Sequence, residues 1–188
     1  FLGRVGEIEV GAAGLAGIYY LSFYMLGFGF CIGLQVLIAR RNGEGRYRLT
    51  GRTFYQGLYF LLFLALFLTT VSLVFTPKLL RAAVSSPEVL EATVTYLDWR
   101  IYGLLFALPG LAIRSFFVGI VRTRVMTWNA VAMVSVNVGL NYPQIFGKGG
   151  FPKGGIQGAA IAPTASEAAS LLGNVVQLLA HVDRRKYE

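Results

Sequence analysis

Three long stretches without any charged residue constrain the fold of this chain more than any other feature. They cover residues 10–39, 53–77 and 125–147. Each exceeds the roughly 20 apolar residues that a helix needs to cross a membrane. A transmembrane β-barrel would instead alternate apolar and polar residues along short segments, and the sequence lacks this alternation. The pattern therefore predicts an all-α, polytopic helical membrane protein.

The composition also favours a membrane location. The 188 residues are 55% hydrophobic and 14% charged, whereas soluble domains carry about 25% charged residues. A net charge of +8 often indicates nucleic-acid binding. Here the basic residues lie in loops between apolar stretches, where they set membrane orientation, so we expect no nucleic-acid partner. One cysteine, Cys31, and one histidine, His181, indicate neither an internal disulfide nor a zinc site.

The apolar stretches divide the chain into five predicted transmembrane helices, at residues 10–39, 53–75, 92–121, 125–146 and 154–182. The second is nearly featureless, so we expect it to face lipid. The third carries Asp98 and Arg100 near its entry, where both reach lipid headgroups. Arg114 lies deeper in the same helix and can extend towards the next loop. Pro109 predicts a kink in that helix, because proline removes one backbone hydrogen bond.

Two short sequence motifs predict further details of these helices, namely a close helix contact and a helix start. Gly29 and Gly33 are four residues apart and predict close approach by another helix. Ser86 followed by Pro87 is typical of a helix start, with serine as the cap and proline at the first position.

Basic residues are distributed unevenly between alternate loops. One set holds ten of them: Arg40, Arg41, Arg46, Arg48, Arg52, Arg122, Arg124, Arg184, Arg185 and Lys186. The other set holds five: Arg4, Lys78, Arg81, Lys148 and Lys153. The positive-inside rule places the richer set and the C-terminus in the cytoplasm, and Phe1 outside. Since no signal peptide precedes Phe1, we expect a missing helix before it and a longer complete protein.

Polar residues inside the last two apolar stretches mark a candidate site, because such groups are costly in hydrocarbon and usually face a partner, a cavity or an ion. Asn137 and Asn141 share one helical face, and their amide oxygens suit a hard cation such as sodium. Hydrogen bonding between helices explains the same pair. Glu167 is a functional candidate by its position, and we favour a role in packing or gating for it.

The segment VNVGLNYPQIFGKGGFPKGGIQGAAIAPTASE resembles the fifth and sixth helices of multidrug and toxin extrusion (MATE) transporters. That family carries an N-x-x-x-[D/N] pair, an IFG…GFP-x-x-G-x-x-GAA turn, and then a Thr and a Glu. The stretch GRVGEIEVGAAGLAG is similar to the loop into the family's second helix, and IARRNGEGRYRLTGRTFYQG to the loop between helices two and three. The resemblance extends over the whole chain.

The resemblance implies an antiporter of twelve helices in two six-helix lobes, located in the bacterial inner membrane. Such a protein exports amphipathic cationic compounds in exchange for sodium ions or protons, and needs no cofactor besides the coupling ion. Residues 1–188 would supply helices two to six, which is most of the N-terminal lobe. Helix one, with a key aspartate in many members, and the C-terminal lobe would be the missing partners.

The resemblance also implies roles for individual residues. Asn137, Asn141, Thr164 and Glu167 would form the cation and substrate site. Asn141 stands where many relatives have an aspartate, so proton coupling in this lobe would rest on helix one or on Glu167. The family's threonine aligns nearest Pro163, and Thr164 lies about 100° further around the helix. Pro163 should free a carbonyl for a cation, or merely kink the helix.

Two other functions compete with the antiporter. A flippase for lipid-linked substrates would need a more basic cavity, for which Arg114 is the candidate. A non-transporting assembly subunit would use the polar residues only to join helices. The sequence shows no Ser/His, paired Asp or HExxH arrangement, so we expect no enzyme.

Overall fold

The chain is almost entirely helical in the computed structural model, which describes residues 7–84, 86–146, 155–182 and 187. Those ranges contain α1 (Glu7–Gly43), α2 (Tyr47–Ala83), α3 (Pro87–Arg100), α4 (Leu104–Gly119), α5 (Arg124–Phe146) and α6 (Gly155–His181). A 3₁₀ turn, Ile101–Gly103, joins α3 to α4, so the helices form five segments. The predicted all-α class with five helical segments is confirmed.

Three of the segments in the described ranges are long and apolar enough to cross a membrane: Glu7–Gly43, Tyr47–Arg81 and Pro87–Gly119. A shorter apolar stretch, Ala130–Gly139, lies in α5. At 37 residues each, α1 and α2 are about 55 Å long, against a hydrocarbon core of roughly 30 Å. Both helices extend beyond their predicted ranges, because an apolar pattern marks only the part of a helix that lies in hydrocarbon.

The arginine-rich connection between α1 and α2 is a tight turn rather than an extended loop. Residues 44–46 alone separate the two helices. Gly45 has a φ of +72°, a conformation that glycine adopts without steric cost. The backbone N–H of Arg46 donates to the carbonyl of Arg41 at 3.0 Å. The basic residues on either side therefore belong to helix ends.

The third segment differs from its predicted course. α3 begins at Pro87, directly after an extended Ser86, as the Ser-Pro signal indicates, and earlier than the apolar pattern at position 92. Its irregular part is the 3₁₀ turn at Ile101–Gly103, whereas Pro109 lies inside α4. A proline acts on the carbonyl four residues before it, so the 3₁₀ turn has a different cause.

α4 packs against α1, α2 and α6 and forms the centre of the core. Its fully or nearly buried side chains include Leu104, Leu108, Leu111, Ile113, Phe116 and Phe117. The close approach of α1 to α4 occurs at Gly27, where a Cβ atom would overlap the side chain of Leu108. The prediction of close approach at Gly29 and Gly33 was wrong for the described chain. Both glycines face open space, on the side of α1 opposite its inward face.

α2 has two different faces, so the expectation of a featureless lipid-facing helix was wrong for one of them. Phe63 and Leu66 are 66% and 60% exposed, as expected of residues that face acyl chains. Ser72 and Thr76 are buried. The Thr76 hydroxyl lies 2.6 Å from Tyr19 Oη of α1 and 2.8 Å from Ser72 Oγ. This hydroxyl cluster ties α2 to α1.

Tyr187 contacts residues of α1 and α4 at one end of the bundle. Its hydroxyl donates to Asn42 Oδ1 at 3.2 Å, and its ring meets Phe116 edge to face, with centroids 5.5 Å apart. The α1–α2 turn, the end of α4 and the chain beyond α6 therefore lie together. These three parts of the chain were assigned to the same side of the membrane when the loop charges were counted. Which side of the membrane this end faces stays a prediction.

Candidate functional site

Glu167 of α6 is held in a buried ion pair by Arg100, the last residue of α3. Arg100 Nη1 donates to Oε2 at 2.8 Å, and Nη2 donates to Oε1 at 2.7 Å. The two side chains are 12% and 10% exposed. The planar guanidinium matches both carboxylate oxygens at once, a geometry that lysine cannot supply. The pair therefore joins α3 to α6 and cancels both charges.

Tyr20 of α1 completes this cluster. Its hydroxyl lies 3.0 Å from each carboxylate oxygen of Glu167, and the guanidinium carbon of Arg100 lies 3.6 Å from the centroid of its ring. The ring face attracts the cation while the hydroxyl donates to the anion. A single side chain thus contacts both members of the pair and brings a third helix to the site.

Gly103, in the 3₁₀ turn between α3 and α4, makes room for the cluster. A Cβ atom there would overlap the Glu167 carboxylate and the Arg100 guanidinium. The backbone of the turn passes so close to the ion pair that a side chain has no space. The interruption between α3 and α4 therefore belongs to the site.

The structure corrects the expectation for Arg100. The sequence placed it near a membrane entry, in reach of lipid headgroups, but its side chain is buried against Glu167 and Tyr20. The error arose because the apolar pattern starts at position 92, whereas the helix begins at Pro87. Arg100 thus lies deeper in the helical segment than the pattern suggested.

A cavity of about 170 Å³ lies beside the ion pair. Four helices line it: α1 with Tyr24, α4 with Phe106 and Arg114, α5 with Met133, and α6 with Asn174. Glu167 is also part of the lining. Arg114 was expected to extend towards the next loop, but in the structure it lines the cavity. Charged, aromatic and amide groups therefore line one partly open cavity between helices.

Thr164 faces α3, as Glu167 does. Its hydroxyl lies 3.0 Å from the carbonyl of Ala160 in its own helix and 3.4 Å from the carbonyl of Trp99 in α3. α6 continues through Pro163 without a break. Thr164 is therefore within hydrogen-bonding distance of two backbone carbonyls in this structure, and its role as a cation ligand stays a prediction.

Asn137 is half-buried in α5. It lies one helical turn beyond Met133, on the same face, because residues three and four apart are neighbours on a helix. That face includes Ala130 and Met133 of the cavity lining. Asn141 falls within α5, but its side chain lies outside the described part of the structure. The sodium site predicted from these two amides stays a prediction.

Three residues of this region were missed from the sequence. Tyr20 and Asn174 were not considered as site residues, and Arg100 was expected to reach lipid headgroups. A signal for Asn174 exists: Glu167, Ser170 and Asn174 are spaced to form one polar stripe along an otherwise apolar helix. All three line the cavity.

The comparisons with known proteins identify the family and the fold of the chain. A family model described as MatE matches residues 1–143, which is most of the chain. The chain belongs to the MatE family. A MatE relative from Synechocystis sp., described as "Probable multidrug resistance protein NorM", is 28% identical over 190 residues, covering 99% of this chain and 40% of that protein. One with the same description from Bradyrhizobium diazoefficiens is 31% identical over 163 residues, covering 87% and 35%.

Solved structures show the same MatE fold. "Crystal structure of MATE in the bent conformation" matches with a TM-score of 0.89 at 21% identity, covering 100% of this chain and 41% of that one. An inward-facing and an outward-facing multidrug resistance MATE family transporter match with TM-scores of 0.86 and 0.87, both at 20% identity. They cover 98% and 100% of this chain and 42% of each structure. The resemblance stated from the sequence is confirmed, and this MatE chain spans about 40% of the length of the Synechocystis relative.

Proposed function

We propose that this chain is most of the N-terminal lobe of an antiporter that exports amphipathic cationic compounds in exchange for sodium ions or protons. The observation that carries the proposal is the cavity between α1, α4, α5 and α6, which combines aromatic walls with polar and charged groups. Ligand pockets are mostly apolar with a few placed polar groups. Intramembrane charges commonly mark transport pathways. The multidrug resistance descriptions of the relatives support export of toxic compounds.

The partner of this lobe is a second, equivalent lobe, together with one helix before α1. The share of the relatives that the chain spans, about 40% in the first of them, supports this division. Its TM-scores to the inward-facing and outward-facing relatives are nearly equal, at 0.86 and 0.87. A lobe that keeps its internal fold in both states suits alternating access by rocking of one rigid repeat against the other.

The coupling ion is assigned to the amide face of α5. Asn137 and Asn141 offer uncharged oxygens that suit sodium, while Glu167 is already neutralised by Arg100. Separating a buried ion pair costs about 3–5 kcal/mol, which disfavours Glu167 as the group that exchanges ions in every cycle. Proton coupling would use a carboxylate of the helix that comes before α1 in the complete protein.

The membrane orientation follows the loop charges. The end of the bundle that holds Asn42 and Tyr187 lies in the cytoplasm, because it carries the arginine-rich set of loops. Phe1 lies on the outer side of the bacterial inner membrane.

Transport by the full-length protein tests the proposal. Purified protein is reconstituted in vesicles, and movement of a fluorescent cation such as ethidium is measured under an imposed sodium gradient, a proton gradient or neither. We expect movement driven by one of the gradients and none without. Absence of movement under both gradients would refute the antiporter.

A flippase for lipid-linked substrates is the second candidate, because Arg114 brings a positive charge into the cavity. The same vesicles decide between the two functions. Transfer of a labelled lipid pyrophosphate between leaflets, with no movement of ethidium, would select the flippase.

A further inference from the structure

Arg114 is held at the cavity by the packing of its neighbours. Ile113 and Ser115 are 2% and 4% exposed, and Ser115 Oγ donates to the carbonyl of Cys31 in α1 at 3.1 Å. This contact fixes that face of α4 against α1. Arg114 consequently lies on the other face, where it lines the cavity and is itself exposed.

The charge of Arg114 is not balanced by the described cavity lining. Glu167 is the carboxylate there, and each of its oxygens is already bonded by Arg100 and Tyr20. The other polar lining groups are the neutral Tyr24, Ser170 and Asn174. Within the described ranges, the structure gives Arg114 neither an ion pair nor a hydrogen bond. Arg114, Glu167 and Arg100 together therefore carry one net positive charge beside the cavity, and Arg100 and Glu167 already neutralise each other.

A guanidinium in such a place is suited to bind an anion. It stays protonated in proteins and offers five N–H donors in a planar fork. That fork matches the two oxygens of a carboxylate or a phosphate. An intramembrane charge without a partner is expensive, so it marks a place for a ligand.

The size and walls of the cavity limit how a ligand can enter. A drug-sized molecule needs a pocket of roughly 300–1,000 Å³, and this cavity holds about 170 Å³. It therefore accommodates a headgroup and part of a ring, with the remainder of the molecule outside. Phe106, Leu111 and Leu171 supply apolar walls.

We propose that Arg114 is an anion subsite that binds the carboxylate or phosphate group of an amphipathic ligand whose apolar part lies against these walls. The proposal rests on the proposed function, because the ligand is taken to be the transported substrate. It adds to the cationic substrates a preferred class of amphiphiles that carry an anionic group as well as a cationic one.

A matched pair of dyes tests the subsite. Tetramethylrhodamine carries a free carboxylate, and its methyl ester has the same ring system with the carboxylate capped. Binding of each dye to the purified full-length protein is measured by fluorescence anisotropy. We expect the wild type to bind the free acid about tenfold more tightly than the ester, as loss of a charge-assisted hydrogen bond predicts.

The variants Arg114→Gln and Arg114→Lys separate charge from packing. Arg114→Gln should remove the preference for the free acid, while its affinity for the ester stays within about twofold of the wild-type value. The retained affinity for the ester would also show that the variant is folded. Arg114→Lys should retain part of the preference, because it keeps the charge and loses the fork. Arg81→Gln, on the exposed end of α2, is the control and should change neither affinity.

Three results would overturn the proposal: equal affinity of the wild type for acid and ester, equal weakening of both dyes by Arg114→Gln, or binding of neither dye. The first two leave the proposed antiporter intact if ethidium is still moved by an ion gradient. If phosphatidylglycerol vesicles displace the free-acid dye and phosphatidylcholine vesicles do not, the subsite is supported and its ligand is a lipid headgroup. Competition by neither would favour a soluble amphiphile as the ligand.

Discussion

Arg100 and Glu167 are 67 positions apart in the sequence, yet their side chains form two parallel hydrogen bonds of 2.7 and 2.8 Å. The pair closes α3 onto α6 beside the cavity. Neither charge is exposed enough for water to replace its partner. Loss of either residue alone therefore leaves a buried charge without its partner.

Removal of one partner should destabilise the protein far more than removal of both. Glu167→Ala leaves the guanidinium of Arg100 buried and unpaired, at a cost of about 3–5 kcal/mol in the free energy of unfolding. The double variant Arg100→Met/Glu167→Leu fills similar volume without charge and should recover most of that loss. Thermal unfolding of the purified full-length protein in detergent measures both. Equal loss in the single and double variants would show that the two side chains do not interact.

Gly103→Ala should disrupt the same cluster through shape alone. The added methyl group overlaps the Glu167 carboxylate and the Arg100 guanidinium, and overpacking of this kind costs about 1–3 kcal/mol. Gly29→Ala is the matched control, because its Cβ position in α1 faces open space. It should leave the melting temperature unchanged or raise it slightly, since alanine favours helix more than glycine does. A melting temperature that falls equally in both variants would contradict the predicted contact.

The sequence predicted the helices and Glu167 but not the partners of Glu167, for a physical reason. Uncharged stretches report which residues lie in hydrocarbon, and an intramembrane carboxylate is conspicuous within such a stretch. Which helix supplies its counter-charge depends on tertiary packing: Arg100 is 67 positions away and Tyr20 is 147 positions away. Periodicity describes one helix at a time and carries no information about the neighbouring helix. The polar stripe of Glu167 and Asn174 was visible in the sequence, whereas the contact with Tyr20 was not.

Val121, just after the end of α4, is a position where a substitution should stabilise the protein. It has a φ of 60°, a left-handed conformation that is strained for a β-branched residue. The N–H of Arg122 donates to the carbonyl of Phe117 at 2.9 Å, which is the type of helix ending in which glycine usually precedes the donor. Val121 is also 81% exposed, so little packing is lost on its removal.

Val121→Gly should therefore raise the melting temperature, by the equivalent of about 1 kcal/mol. Gly45→Ala is the converse test, because Gly45 has a φ of +72° and alanine there should destabilise by a similar amount. Both changes are measured by thermal unfolding of the full-length protein. A destabilised Val121→Gly variant would show that the side chain makes a contact that outweighs its backbone strain.

Asn137→Ala tests the proposed ion site on α5. Loss of the amide removes an uncharged oxygen that we assign to sodium, so ethidium export by the full-length protein should fall to the level of empty vesicles. Ser135→Ala is the control: Ser135 is an exposed residue of α5 whose hydroxyl donates only to the carbonyl of Val131, at 2.8 Å, among the described contacts. It should retain wild-type transport. If Asn137→Ala lowers the melting temperature but exports ethidium at the wild-type rate with the same sodium dependence, the amide stabilises helix packing and the ion is bound elsewhere.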